Sequence, residues 1–332
     1  MRRCSSVLVL ACLLPTLCLL LPRVAWAQQA GRVYRVGQLL QFPINPETER
    51  MWNGYVQRLR EHGFVEGRNL VFERRAADGD RGRFPLLAAE LVRLKVDVIV
   101  ASSGVSARAA KEVTSEIPIV MLNAADPVRD GLVASLNRPG GNVTGLADWS
   151  EDLIPKRLSL LKEAAPGAVR VAWLQSWGMS TPKDASLGEA PARALGITLL
   201  RHWLERPDQV TGVLAVVAQE RPDALFPGGN PVVFARRKEI ATFAVEHRLP
   251  TIFAFREGVV AGGLLSYGVN QPEVWRRAAD YVARVLAGTK PRDLPVEQPP
   301  KLELVINQGA AKAIGLAVPA SLLLRADEVI GQ

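Results

Sequence analysis

Apolar runs alternate with amphipathic stretches along most of the chain, and the order is regular. Tyr34-Arg-Val-Gly-Gln-Leu-Leu40 is mostly apolar, of strand length, and predicts a buried strand. Asn45-Pro46 then predicts a helix start, with proline at the first helical position. Met51, Tyr55 and Leu59 recur at spacing four on one face, and Gly63 closes the helix. The pattern next predicts a short strand over 70–73, a striped helix over 84–94 and a strand over 96–100. A helix over 104–114 and a strand over 117–122 follow. Strands alternating with helices of this length build βαβ units and a parallel sheet.

The second half repeats the order. Strands are predicted over 169–174, 197–202, 223–226 and 250–255, with helices over 189–195, 209–218 and 236–247 between them. Local details match as well: Leu94-Lys-Val-Asp97 parallels Glu220-Arg-Pro-Asp223, and Ile117-Pro118 parallels Leu249-Pro250. The fold class expected is α/β, two doubly wound parallel-sheet lobes of one type joined by a hinge. One sheet of about ten strands is the alternative, and open sheets that large are uncommon.

Beyond Phe255 come a strand over 263–267, a helix over 274–286, a strand over 302–306 and a short helix over 310–314. The turn-rich stretch Arg138-Pro-Gly-Gly-Asn-Val-Thr-Gly145 and the Pro/Gly-rich 288–300 suit crossings between lobes. The expected division puts 28–147 and 262–292 in lobe 1, and 148–261 and 293–332 in lobe 2.

The start of the chain changes the compartment. Arg2 and Arg3 precede an apolar run, and Val24-Ala25-Trp26-Ala27 places small residues where a signal peptidase cuts. Residues 1–27 are expected to be a cleaved export signal and the mature protein to be periplasmic, with a lipid anchor or an uncleaved anchor as alternatives. All three cysteines, Cys4, Cys12 and Cys18, lie in that segment, so the mature chain has neither disulfides nor thiol chemistry. The formal charge of +8 includes Arg2, Arg3 and Arg23, which leave with the signal. The remaining excess is mild, no basic run is interleaved with aromatics, and no nucleic-acid partner is expected.

Enzyme signatures are missing from the sequence. His62, His202 and His247 match no metal spacing. No P-loop or G-x-S-x-G elbow occurs, and Gly140-Gly-Asn-Val-Thr-Gly145 lacks the G-x-G-x-x-G spacing. No catalytic residue, cofactor or metal is expected. An enzyme whose acid pair is assembled by folding is the alternative.

Several longer stretches carry a resemblance. Leu91-Val-Arg-Leu-Lys-Val-Asp-Val-Ile-Val-Ala-Ser102 leads into Ile117-Pro-Ile-Val120. Asp126-Pro127 precedes Gly131-Leu-Val-Ala-Ser-Leu-Asn-Arg-Pro-Gly-Gly-Asn-Val-Thr-Gly145. Then come Phe255-Arg-Glu-Gly258, Ala261-Gly-Gly-Leu-Leu-Ser-Tyr-Gly268 and Leu304-Val-Ile-Asn307. Together these resemble the ABC-transporter substrate-binding family that includes the tryptophan/tyrosine-type binding proteins. The resemblance implies a type I periplasmic binding fold. It also implies capture of a small ligand, an aromatic amino acid in the best-understood members, and its delivery to a membrane permease with an ATPase partner; the protein is expected to be a monomer. A sensing subunit for a receptor or kinase would use the same fold. Two loops depart from the family pattern: Gln175-Ser-Trp177 stands where an Asn-Pro pair is usual, and Pro227-Gly-Gly-Asn-Pro231 where an Asp-Pro-Phe-like segment is usual.

In open α/β sheets ligands bind beyond the carboxyl ends of the strands. The loops so placed are 41–45, 102–106, 123–126, 175–181, 226–230 and 255–257. Ser102, Ser103 and Ser106 begin a helix, where unpaired N–H groups suit a carboxylate; helix capping uses the same serines. Asn123 and Asp126 suit a ligand ammonium or an Asx turn ahead of Pro127. Arg256 suits a carboxylate or a bridge between lobes. Tyr267 suits the core, the hinge or the ligand. Phe42, Trp177 and Phe255 suit the walls for a flat ring or ordinary packing.

Overall fold

The computed structural model describes residues 31–42, 44–46, 48–148, 152–175, 187–299 and 301–331. The expected signal segment and Trp177 lie outside them. The chain divides into Met1–Arg32 and a compact unit Val33–Gln332, and the fold below is that of the second.

The first lobe is built from β1 (Tyr34–Leu40), α1 (Glu49–Glu61), β2 (Leu70–Ala76), α2 (Phe84–Arg93), β3 (Val98–Ala101), α3 (Gly104–Val113), β4 (Ile119–Ala124) and β5 (Val143–Ala147). Its strands lie in the order β2-β1-β3-β4-β5, all parallel. Helix α1 buries Met51, Trp52, Tyr55 and Leu59, the face the spacing predicts. Gly63 at φ 85 ends it, letting Phe64 N turn back to Leu59 O at 2.9 Å. The helix starts at Glu49 rather than at Pro46, because Asn45 forms a turn instead: its Oδ1 accepts from Thr48 N at 3.0 Å.

The second lobe follows with α4 (Ile154–Ala164), β6 (Arg170–Gln175), α5 (Glu189–Ala194), β7 (Thr198–Trp203), α6 (Val210–Glu220), β8 (Ala224–Pro227), α7 (Pro231–Ala235), α8 (Arg237–Glu246), β9 (Ile252–Phe253), α9 (Arg256–Val260) and β10 (Leu265–Val269). Strands β7-β6-β8 form one parallel sheet, and a bridge from Leu225 to Thr251 links it to a second that contains β9 and β10. The chain then passes through α10 (Gln271–Leu286) and ends in β11 (Leu302–Asn307), α11 (Gln308–Ile314), α12 (Ala320–Arg325) and β12 (Glu328–Ile330). The second sheet has the order β12-β11-β10-β9, and β11 runs antiparallel to β10.

Strand pairing moves the expected boundaries. The stretch Arg138–Gly145 is not a crossing: it feeds β5, a first-lobe strand, and the chain leaves only after Ala147. Strand β10, expected in lobe 1, pairs with β9 and β11. The second passage therefore falls at Asn270, which caps α10 through Glu273 N at 3.0 Å and also donates to Glu303 Oε2 at 3.0 Å. Helix α10 packs on the first lobe, with Tyr55 and Trp275 edge to face at 5.8 Å. Leu294 and Val296, expected in lobe 2, are buried in first-lobe cores. The third passage follows Glu297, whose backbone still bonds to β5 at Gly145 and Ala147. Among the described residues no helix is long and apolar enough to cross a membrane.

Candidate functional site

The carboxyl ends of the first-lobe strands face those of β6 and β8 across a cleft of ≈ 380 Å³. Pockets for small molecules fall in this size range and are mostly apolar with a few placed polar groups. The walls fit that description. Phe42 and Trp52 come from the first lobe and Trp275 from the start of α10. Trp173 and Phe226 come from the second, their rings stacked at 5.4 Å and 14°. Phe234 and Phe255 also line it, edge to face at 6.1 Å.

The polar groups come from strand ends and helix starts. Ser103 and Ser106 form a capping box at α3: Ser106 N donates to Ser103 Oγ at 3.3 Å, and Ser103 N donates to Ser106 Oγ at 3.0 Å. Ser102 and Ser103 line the cleft, and Ser102 Oγ accepts from Gln41 N at 3.0 Å. Asn123 sits at φ 49, in the left-handed region that asparagine tolerates. It exchanges two amide hydrogen bonds with Gln271, at 3.3 and 3.2 Å, across the second passage. Asn230 caps α7, its Oδ1 accepting from Val233 N at 2.9 Å.

Three guanidinium groups reach the cleft. Arg157 is fully buried; burial pushes its pKa down to about 10, and the nearby charge of Asp148, another lining residue, opposes that shift. Its Nε donates to Tyr267 O at 2.8 Å. Arg237 stands 4.6 Å from the Phe234 ring and donates to Phe234 O at 2.6 Å. Burial likewise holds the Arg81 pKa below its ordinary value, against the charge of Glu205.

Of the residues singled out from sequence, Phe42, Ser102, Ser103, Asn123 and Phe255 line the cleft. Four others do not. Ser106 is fully buried beneath the cap it completes. Asp126 lines a separate cavity and accepts from Arg129 N at 2.9 Å, the Asx-turn alternative. Arg256 is held by Glu328 of β12, Nε to Oε2 at 2.7 Å and Nη2 to Oε1 at 2.6 Å, and is not among the cleft-lining residues. Tyr267 packs its side chain against the second-lobe core. Trp177 lies outside the described residues.

The histidines also sit away from the cleft lining. His62 and His202 contact Asp280 and Glu220, at 2.7 and 2.9 Å, and His247 packs on Phe243. Among the described residues no group of three or more His, Cys, Asp or Glu side chains could hold a metal ion.

Two doubly wound lobes enclosing a ring-walled cleft define the class of two-lobed α/β binding proteins. The family model for ABC transporter substrate binding proteins matches residues 39–330, and the chain belongs to that family. It is 27% identical over 274 residues to a tyrosine-binding protein of Clostridioides difficile, covering 82% of this chain and 78% of that one. A conserved domain protein from Vibrio cholerae superposes with a TM-score of 0.82 at 27% identity, over 90% of this chain and all of that one. An ABC domain from Streptococcus pneumonia, solved in complex with L-Trp, gives a TM-score of 0.80 at 23% identity over the same shares and shows the same fold.

Proposed function

We propose that this protein is the exported solute-binding subunit of an ABC importer, and that its ligand is an amino acid with an aromatic side chain. The observation that carries the reading is the cleft itself: aromatic walls from both lobes surround a helix N-terminus with two serines, Ser102 and Ser103, at its mouth. Flat rings gain about 0.5–1.5 kcal/mol from stacking beyond simple burial, and helix N-termini favour carboxylates. The tyrosine-binding relative and the L-Trp complex of the same fold support the choice of ligand class.

In this reading residues 1–27 direct export and are cleaved, and the mature chain works as a periplasmic monomer. The first lobe captures the ligand, the second closes over it by bending at the three passages, and the closed form docks on the permease with its ATPase. A ligand drives closure only through a better fit to the closed state. A thermal-shift screen of the twenty amino acids on the mature protein tests the ligand class. A true ligand at 100 times its dissociation constant adds about 2.7 kcal/mol of stability. A screen in which no aromatic amino acid raises the melting temperature sinks the assignment.

A further inference from the structure

Two glutamines point to a finer specificity within that reading. Gln41, at the end of β1, and Gln175, at the end of β6, both line the cleft from opposite lobes. Each is more than nine-tenths buried, at 6% and 7% exposure. Each nevertheless leaves an amide atom without a hydrogen-bond partner: Nε2, a donor, on Gln41 and Oε1, an acceptor, on Gln175. Buried polar groups are nearly always paired, and an unpaired one costs stability. The two orphans are of opposite kind and belong to residues that line one cavity from its two sides, so a ligand that reached both atoms would satisfy them.

Their neighbours orient that ligand. The backbone N of Gln41 donates to Ser102 Oγ, which holds this residue next to the loop that leads into the α3 N-terminus, where a carboxylate fits. Gln175 and Trp173 are two residues apart on β6 and share one face of the sheet. Trp173 is stacked on Phe226, so Gln175 is the next residue along that face from the ring wall.

We propose that Gln41 and Gln175 are a cross-cleft pair of specificity-determining residues: Gln41 donates to the ligand's carboxylate, and Gln175 accepts from an N–H or O–H carried on the ligand's aromatic ring. This rests on the aromatic amino-acid reading and narrows it to rings with a hydrogen-bond donor. A site built around a polar partner rejects analogues that lack it far more strongly than an apolar pocket rejects a small change in size.

Calorimetric titration of the mature protein with two matched pairs tests this. The pairs are tryptophan against its benzothiophene analogue, in which sulfur replaces the indole N–H, and tyrosine against phenylalanine. The wild type is expected to prefer the donor-bearing member of each pair by about tenfold or more. In Gln175→Leu that preference falls to about onefold. In Gln41→Leu all four affinities drop by about tenfold and the ratios stay as they were. Without ligand both variants should melt no lower than the wild type, since an apolar side chain of similar size replaces an orphaned amide. Equal binding within each pair by the wild type, or a preference that survives in Gln175→Leu, overturns the proposal and leaves the aromatic reading standing. Failure of all four compounds to bind overturns both.

Discussion

Gly79 of the first lobe meets Pro207 of the second so closely that a Cβ on Gly79 would lie 2.9 Å from both Pro207 Cγ and Cδ, and 2.9 Å from Phe42 Cε1. Gly79 also sits at φ 84, which side chains rarely adopt. Charges around the contact are complementary. Arg81 feels the charge of Glu205, and Arg206 that of Asp80. The contact joins the two lobes at the mouth of the cleft, so any change there acts on closure. Gly79→Ala is expected to disfavour the closed arrangement. A penalty of about 1.4 kcal/mol would weaken ligand binding about tenfold, since only the closed fraction binds tightly. Adding Pro207→Ala removes the ring atoms that clash and should restore part of the affinity, giving a coupling in a double-mutant cycle. Additive losses in calorimetry would show that the contact plays no part in closure.

Arg256 and Glu328 make a different prediction. Their two parallel bonds tie the start of α9 to β12, both in the second lobe. Side-chain and charge contacts from Glu328 raise the Arg256 pKa, and those of Arg256 lower the Glu328 pKa. Both side chains are partly exposed, so solvent screens the pair and its contribution is about 0.5–1 kcal/mol. Arg256→Ala should lower denaturant stability by that amount and leave ligand affinity unchanged. An affinity loss beyond twofold would restore Arg256 to the binding site.

Glu257, next to Arg256, is half-buried, and desolvation of its carboxyl pushes the pKa above the usual range. Arg237 and Arg256 oppose the shift and Glu303 adds to it. Its Oε2 has no hydrogen-bond partner. A carboxyl with a raised folded-state pKa binds a proton more tightly when folded than when unfolded. Its contribution is therefore most favourable below the unfolded value of about 4.3 and is lost as pH rises through the folded one. Glu257→Gln should melt higher than the wild type at pH 8, with the gap closing towards pH 4. A gap that widens in acid would contradict this. Such a result would mean that Glu257 is stabilised as an anion.

Periodicity made most of the scaffold legible, because apolar runs and stripes report burial directly. It missed β5, whose short Val143-Thr-Gly-Leu-Ala147 follows a turn-rich run and contains glycine, which resembles loop. It missed the antiparallel direction of β11, which depends on where the chain returns after α10 and not on local pattern. At the candidate cleft, the rule that ligands sit beyond strand ends pointed to loops whose Phe42, Ser102, Ser103, Asn123 and Phe255 are among the lining residues. Trp52, Trp173 and Trp275 escaped because each lies inside a helix or strand, where an aromatic reads as core. Gln41 and Gln175 stand at the edges of the expected loops, but what marks them is a missing partner, visible only in three dimensions. For Arg256 the sequence left a carboxylate or a structural bridge open, because Glu328, its partner, is distant in sequence and no spacing announces it.

The serines at α3 separate capping from binding. Ser106 Oγ accepts from Ser103 N and donates to Ser103 O at 2.9 Å, and it is fully buried, so it serves the helix alone. Ser102 faces the cleft and is not part of the cap, while Ser103 does both. Losing a capping side chain costs about 1 kcal/mol. Ser106→Ala should therefore lose about that much stability and keep its affinity within about twofold. Ser102→Ala should lose about five- to tenfold in affinity, the worth of one hydrogen bond. Ser103→Ala should show both effects. Urea unfolding and calorimetry on the three variants read the two quantities independently. If Ser102→Ala binds aromatic amino acids as the wild type does, the carboxylate is held elsewhere in the cleft, and the guanidinium of Arg81 or Arg237 becomes the group to remove next.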